Sequence, residues 1–392
     1  MATHVGLDAR TQGARPGGAR ALDHTRLIPV AAPVLAGNEQ SYVMDCLQSN
    51  WISSTGKYID RFEAAFGEFC GTRHAISCSN GTTALHLALL ALGVGPGDEV
   101  LVPTLTFVAT ANAVSYCGAR PVFVDAEAVT WNIDPALVEA SVTPQTKGII
   151  VVHLYGHPVD MEPVIAVARR HGLFVIEDAA EAHGAQYRGR PVGALGDIAT
   201  FSFYGNKIIT TGEGGMVVTD DAALADKVRQ LKGQGMDPSQ RYWFPIIGFN
   251  YRMTNIAAAI GLAQLEMADW HLQRRREVAS WYREDLAGVR GISWQIEQPW
   301  ANHVYWMFTV QVDENAQDRD VTMARLAESG IETRPVFYPL HTLPPYRTNA
   351  AAGALPVAER IARGGLSLPT WGGLTRDDVR YITTCLRHCV EQ

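Results

Sequence analysis

No apolar run in this 392-residue chain approaches the ~20 residues that a membrane-spanning helix needs; residues 85–94 form one of the longest. The N-terminus has no apolar signal core either. Basic residues do not predominate, with 33 Lys and Arg against 40 Asp and Glu and a formal charge of -7. Such a chain has no bulk field for gripping nucleic acid or an anionic membrane, though a local basic pocket for a phosphate is compatible with it. The six cysteines (Cys46, Cys70, Cys78, Cys117, Cys385 and Cys389) include no CxxC pair. Cys385 and Cys389 would share a helix face beside His388, but no fourth ligand stands in register, so no metal site is expected. The six read as reduced thiols of a cytoplasmic protein. No internal repeat of fixed period occurs. With 47% hydrophobic and 19% charged residues the composition is that of a packed globular chain, which excludes pervasive disorder.

Residues 1–26 are rich in Gly, Ala and Arg without an apolar period, and read as a mobile arm. From residue 74 to 220, short β-branched runs alternate with helical patterns. The pattern predicts seven strands, at 74–78, 99–103, 121–125, 148–153, 173–178, 198–203 and 214–219, with helices notably over 82–92 and 161–171. Near-continuous apolar strands are covered on both faces, so a three-layer α/β/α domain with a mainly parallel seven-stranded sheet is expected. The last two strands lie close enough in sequence to pair antiparallel. Beyond Asn255 the pattern predicts one long or kinked helix over 256–286, a strand region at 304–312, a helix over 321–329, a Pro-rich loop at 334–346 and a final helix over 376–391. We therefore expect a large domain over 27–265 and a smaller C-terminal α+β domain over 266–392.

Ligands of open α/β sheets bind at the carboxyl ends of strands. After the first predicted strand comes Ser79-Asn80-Gly81-Thr82-Thr83, then a helix. Gly81 lets the backbone approach an anion, the helix start offers free N–H groups, and Thr82 adds a hydroxyl. There is no P-loop lysine and no GxGxxG, and taken alone an ordinary capped helix start accounts for the segment. Asp178 ends a buried strand among small residues, in Glu177-Asp178-Ala179-Ala180-Glu181-Ala182-His183-Gly184. A buried carboxylate needs a partner, which a protonated ring nitrogen would provide; a capping Asp reads equally well. Lys207 comes directly after Ser202-Phe203-Tyr204-Gly205-Asn206 and precedes the glycine-rich Thr210-Thr211-Gly212-Glu213-Gly214-Gly215. A lysine so placed can act as an amine nucleophile. A phosphate cradle, a carboxylate for a ring nitrogen and a Schiff-base lysine together are the groups that pyridoxal 5'-phosphate requires of a protein.

These segments, with Gly248-Phe249-Asn250-Tyr251-Arg252-Met253, resemble in order and spacing the DegT/DnrJ/EryC1/StrS sugar aminotransferases, over about residues 28–390. The resemblance implies the aspartate-aminotransferase-like architecture, fold-type I of the pyridoxal phosphate enzymes. It implies that Gly81, Thr82 and Ser202 bind the cofactor phosphate, that Phe107 stacks on the pyridine ring, that Asp178 pairs with its nitrogen and that Lys207 holds its aldehyde. Glu181 stands where many relatives carry Gln near the phenolic oxygen. His183 reads as a packed, hydrogen-bonded histidine.

The implied reaction moves an amino group from L-glutamate to a keto group of a nucleotide-linked 6-deoxy sugar. It would run in a homodimer with shared active sites, Asn250 reaching the neighbour's cofactor phosphate. Ser202–Gly205 with Asn206-Lys207, Tyr305-Trp306-Met307-Phe308, and Arg334-Pro335 together with Tyr338-Pro339-Leu340-His341 most resemble the perosamine-forming members, which act on GDP-linked 4-keto-6-deoxymannose. Arg334, Tyr338 and His341 are expected on the sugar-nucleotide side, where Arg334 would pair with a diphosphate. A 3-keto sugar or cyclitol ketone remains an alternative substrate. A sugar dehydratase would carry His in place of Lys207, and a non-catalytic relative would have lost Lys207, Asp178 or Thr82.

Overall fold

A computed structural model describes residues 27–347 and 355–391. The expectation of a mobile arm at 1–26 lies outside the described residues. The central sheet has seven strands: β1 (His74–Cys78), β2 (Glu99–Pro103), β3 (Arg120–Val124), β4 (Thr146–Val152), β5 (Phe174–Asp178), β6 (Ile198–Ser202) and β7 (Gly215–Thr219). Their order is β1-β7-β6-β5-β4-β2-β3. All neighbouring pairs are parallel except those of β7, which runs antiparallel to both β6 and β1. β2, β6 and β7 are buried along their whole length, because helices cover both faces. One core lies on each side of the sheet: Phe62, Phe66, Phe201 and Phe203 on one, Leu85, Leu87, Leu89 and Val102 on the other.

A second, antiparallel sheet has the order β8 (Ile292–Trp294), β9 (Phe308–Val312), β11 (Gly365–Leu368), β10 (Arg334–Pro335). Its core joins Phe308 and Val310 to Tyr282, Leu326 and Ile382 from the surrounding helices. The first described residues also belong beside it: Ile28 bridges to Ile331, and Thr370 donates its N–H to the Val30 carbonyl at 2.9 Å.

Two elements differ from the pattern reading. The helical stretch after Asn255 is two helices, Asn255–Glu266 and Ala268–Leu286, broken at Met267, where the N–H bonds back to Gln264. The strand expected from residue 304 begins only at Phe308. Tyr305 has φ 50°, in the left-handed region where no strand continues.

Candidate active site

The carboxyl ends of the parallel strands open into one cleft of about 580 Å³, within the range of small-molecule sites. At one end, Asn80 caps the helix Gly81–Ala91: its side chain accepts the Thr83 N–H at 2.9 Å, and the Thr83 hydroxyl accepts the Asn80 N–H at 3.2 Å. One turn thus serves both as a capped helix start and as a cradle. The N–H groups of Gly81 and Thr82 precede the first intrahelical acceptors, and both residues line the cleft with Ser202. Position 81 must be glycine: a Cβ there would stand 2.7 Å from the Ser202 Cβ.

Asp178 ends β5 and is buried. Its carboxylate accepts the Thr110 hydroxyl at 2.8 Å and the Ala180 N–H at 3.2 Å. Burial raises its proton affinity, while these donors and the charge of Lys207 oppose the rise. Thr110 lies far away in sequence, and no local signal marks it as part of the site.

Lys207 sits in the tight turn after β6, its N–H bonded to the Tyr204 carbonyl at 2.9 Å. Its Nζ lies 3.8 Å from Glu181 Oε1 and 3.7 Å from the centre of the Trp306 ring. Burial pushes the amine below its usual range, against the pull of Glu181 and Asp178. Burial likewise pushes the Glu181 carboxyl up, to about 7. Glu181 is fixed by the Tyr155 N–H, which donates to Oε2 at 2.8 Å.

Tyr155 is a second site residue absent from the sequence-based expectations. It lies just beyond β4 with φ 55°, a left-handed conformation rare for a bulky residue. Its ring stacks between Trp306 (6.2 Å, 16°) and Phe337 (5.6 Å, 19°), and Phe337 leans on Phe107. The signal that could have found it is its position: the strand-end rule that singles out Asn80, Asp178 and Lys207 extends equally to the end of β4.

Phe107 and Arg334 line the same cleft, Phe107 with about half its surface open. Tyr338 lines a smaller apolar cleft alongside, shared with Phe107 and Phe337. The structure does not bring His341 to the cleft. The turn Leu340–Thr342 folds it inward, where its ring bonds Thr104 at 2.7 Å and Glu359 at 3.0 Å. Asn250 is exposed outside the cleft, its side chain accepting from Arg252 Nε at 3.0 Å. His183 is packed among Phe66, Phe201 and Phe203 as expected, but neither ring nitrogen finds a hydrogen-bond partner among the described residues, and burial lowers its pKa to about 3. No cluster of three metal-binding side chains occurs among the described residues.

A family model for the DegT/DnrJ/EryC1/StrS aminotransferases matches residues 33–387. The chain belongs to this family. Its members use pyridoxal 5'-phosphate, and this chain is a pyridoxal phosphate-dependent aminotransferase of the family's fold. It is 56% identical to the GDP-perosamine synthase of Caulobacter vibrioides, over 92% of this chain and 97% of that protein. It is 49% identical to the GDP-perosamine synthase of Escherichia coli O157:H7, over 91% and 97%. Among solved structures, DesI in the presence of its TDP-sugar product matches with a TM-score of 0.88 at 36% identity, covering 96% of this chain and 95% of that one.

The residues present fit the family's cofactor. The cleft offers helix-start N–H groups and hydroxyls at one end for a phosphate. It holds Asp178, a buried carboxylate whose two hydrogen-bond donors are both neutral. The primary amine of Lys207 lines the same cleft.

Proposed function

We propose that this aminotransferase moves the amino group of L-glutamate to the keto carbon of GDP-4-keto-6-deoxymannose, forming GDP-perosamine. The observation that carries the reading is 45–56% identity to three GDP-perosamine synthases along nearly their whole length. The cleft's chemistry supports it.

Bound pyridoxal phosphate supplies an electron sink for the carbon that gains or loses the amino group. Gly81, Thr82 and Ser202 would hold its phosphate by N–H and hydroxyl donors. Phe107, which lines the same cleft, would cover its ring. Asp178 would balance the positive ring nitrogen and, being anchored by Thr110 and Ala180, would need little reorganisation to do so. The Nζ of Lys207 would hold the aldehyde and, when free, would carry the proton between the substrate carbon and the cofactor carbon that exchanges the amino group with it. Glu181 stands beside Nζ as the carboxyl that shares its proton. Arg334 offers the cleft a guanidinium for the diphosphate, and Tyr338 borders the apolar cleft beside it. His341, held between Thr104 and Glu359, shapes that loop from behind.

The direct test incubates the purified protein with L-glutamate and a panel of GDP- and dTDP-linked keto sugars and identifies products by mass. The GDP-linked 4-keto-6-deoxymannose is expected to be aminated. Amination of dTDP sugars alone would overturn the assignment.

We further propose a cytoplasmic homodimer with shared sites. All six cysteines are free thiols. Tyr242, Trp243, Phe244 and Ile247, the last 90% exposed, lie just before Asn250 and present an apolar surface suited to a second copy. Asn250, outside its own cleft, is then free to reach the partner's phosphate. Lys207→Ala and Asn250→Ala mutants, each impaired alone, should regain partial activity when mixed and allowed to exchange subunits. No recovery despite demonstrated exchange would place Asn250 outside the neighbour's site.

A further inference from the structure

Trp306 is anchored more heavily than a simple wall residue requires. Its N–H bonds the Tyr155 carbonyl at 2.9 Å, its indole Nε1–H bonds the Asn206 carbonyl at 2.9 Å, and its own carbonyl accepts from buried Arg275 at 2.7 Å. Its ring stacks on Tyr155. These contacts turn the indole face toward Lys207 Nζ, 3.7 Å from the ring centre. Glu181 Oε1 stands 3.8 Å from the same amine, its second oxygen tied to the Tyr155 N–H. An ammonium so buried needs stabilisation from a carboxylate or an aromatic face, and here it has both.

We propose that Trp306 and Glu181 form a seat for the ε-ammonium of Lys207 during the half of the cycle in which that amine is free. The inference rests on Lys207 being the lysine that binds the cofactor aldehyde. Trp306 is thus a positioning residue: it acts on the reaction through where it parks Lys207. The seat keeps the free amine in one place and one protonation state, instead of letting the chain swing into the open cleft.

The charged and titratable groups around Nζ are few. Glu181 and Asp178 favour its protonation, Arg334 opposes it, and His183, packed among phenylalanines, stays neutral. The test therefore measures the proton affinity of Lys207 in the full-length chain stripped of cofactor. Competitive acetylation with acetic anhydride across pH, with the Lys207 peptide quantified by mass spectrometry, gives its apparent pKa. Tryptophan analogues carrying one to four ring fluorines are placed at position 306 alone. They withdraw charge from the ring face at nearly constant size, so a merely structural role is unmoved by them. The apparent pKa should fall stepwise with fluorine number, by about one unit in all. Glu181→Gln should lower it as well. A fluorine series without slope would overturn the aromatic half of the seat, and an unchanged value in Glu181→Gln would overturn the carboxylate half. Added pyridoxal phosphate should protect Lys207 of the unmodified chain from acetylation. Failure of that protection would instead sink the cofactor assignment, so the two failures are distinguishable.

Discussion

Lys207→Ala should give a folded protein with no measurable transamination. The fold should survive because the Lys207 side chain carries no hydrogen bond that shapes the core; its contacts are Glu181 and the Trp306 face. Without the ammonium, Glu181 loses the cation beside it, and burial then favours its neutral acid over the charged form. A proton is taken up where a charge was balanced, and the wall of the cleft stays intact. Activity has no such refuge. Proton transfer by a positioned side chain alone is worth about a hundred- to ten-thousand-fold, and the covalent hold on the cofactor is lost as well. The absorption band of added pyridoxal phosphate should shift to longer wavelength in the unmodified protein, by condensation with the amine, and show no such shift in the mutant. Substantial turnover by Lys207→Ala, at unchanged melting temperature, would remove this lysine from the mechanism.

Asp178→Asn is expected to keep the fold and lose about two to three orders of magnitude in turnover, on the scale of removing one preorganised electrostatic stabiliser. The amide has the shape of the carboxylate but no charge to set against a protonated ring nitrogen. It also meets the same two donors: the Thr110 hydroxyl at 2.8 Å and the Ala180 N–H at 3.2 Å. The hydroxyl can rotate to accept from the amide, whereas the N–H cannot, so the best arrangement points the amide oxygen at Ala180. The change in stability should stay near the cost of one rearranged hydrogen bond, about 1 kcal/mol. A large loss of melting temperature would mean that Asp178 chiefly holds the β5 end together, and near-normal kcat would mean that it does not face the cofactor nitrogen.

Much of the site is legible in the chain, and the physical reason is the strand-end rule. Asn80-Gly81-Thr82, Asp178 and Lys207 each come after a β-branched or apolar run that reads as a buried strand, and the sheet converges all three on one cleft. Strands β1 and β2 lie where the apolar pattern put them, and the helix expected over 161–171 spans Met161–His171, closed by Gly172 in a left-handed cap. The rest depends on contacts with no local signature. Thr110 matters only because its helix packs so that its hydroxyl meets Asp178. Trp306 reads as part of a strand, yet Tyr305 turns into the left-handed region and frees the indole to face Lys207. The histidine in the Pro-rich loop reads as a ligand-binding group because its loop is rich in aromatics, but the turn at 340–342 seals it between Thr104 and Glu359.

The antiparallel strand β7 sets an order of assembly. β1 touches the sheet only through β7, with His74 opposite Thr219 and Cys78 opposite Gly215. Strands β2 to β5, by contrast, pair among themselves within residues 99–178. A chain growing from its N-terminus therefore completes the strand bearing Asp178 well before β1, made first, has any partner to join. The long loop that must close to dock β1 makes this pairing entropically late. The end of the cleft that begins at Asn80 thus joins the sheet only after Asp178 and Lys207 have been made, although its residues are the first to be synthesised. Nascent chains stopped short of Gly215 should carry Asp178 and Lys207 beside an unsealed sheet edge at β6, which is the kind of exposed edge that chaperones and aggregation compete for.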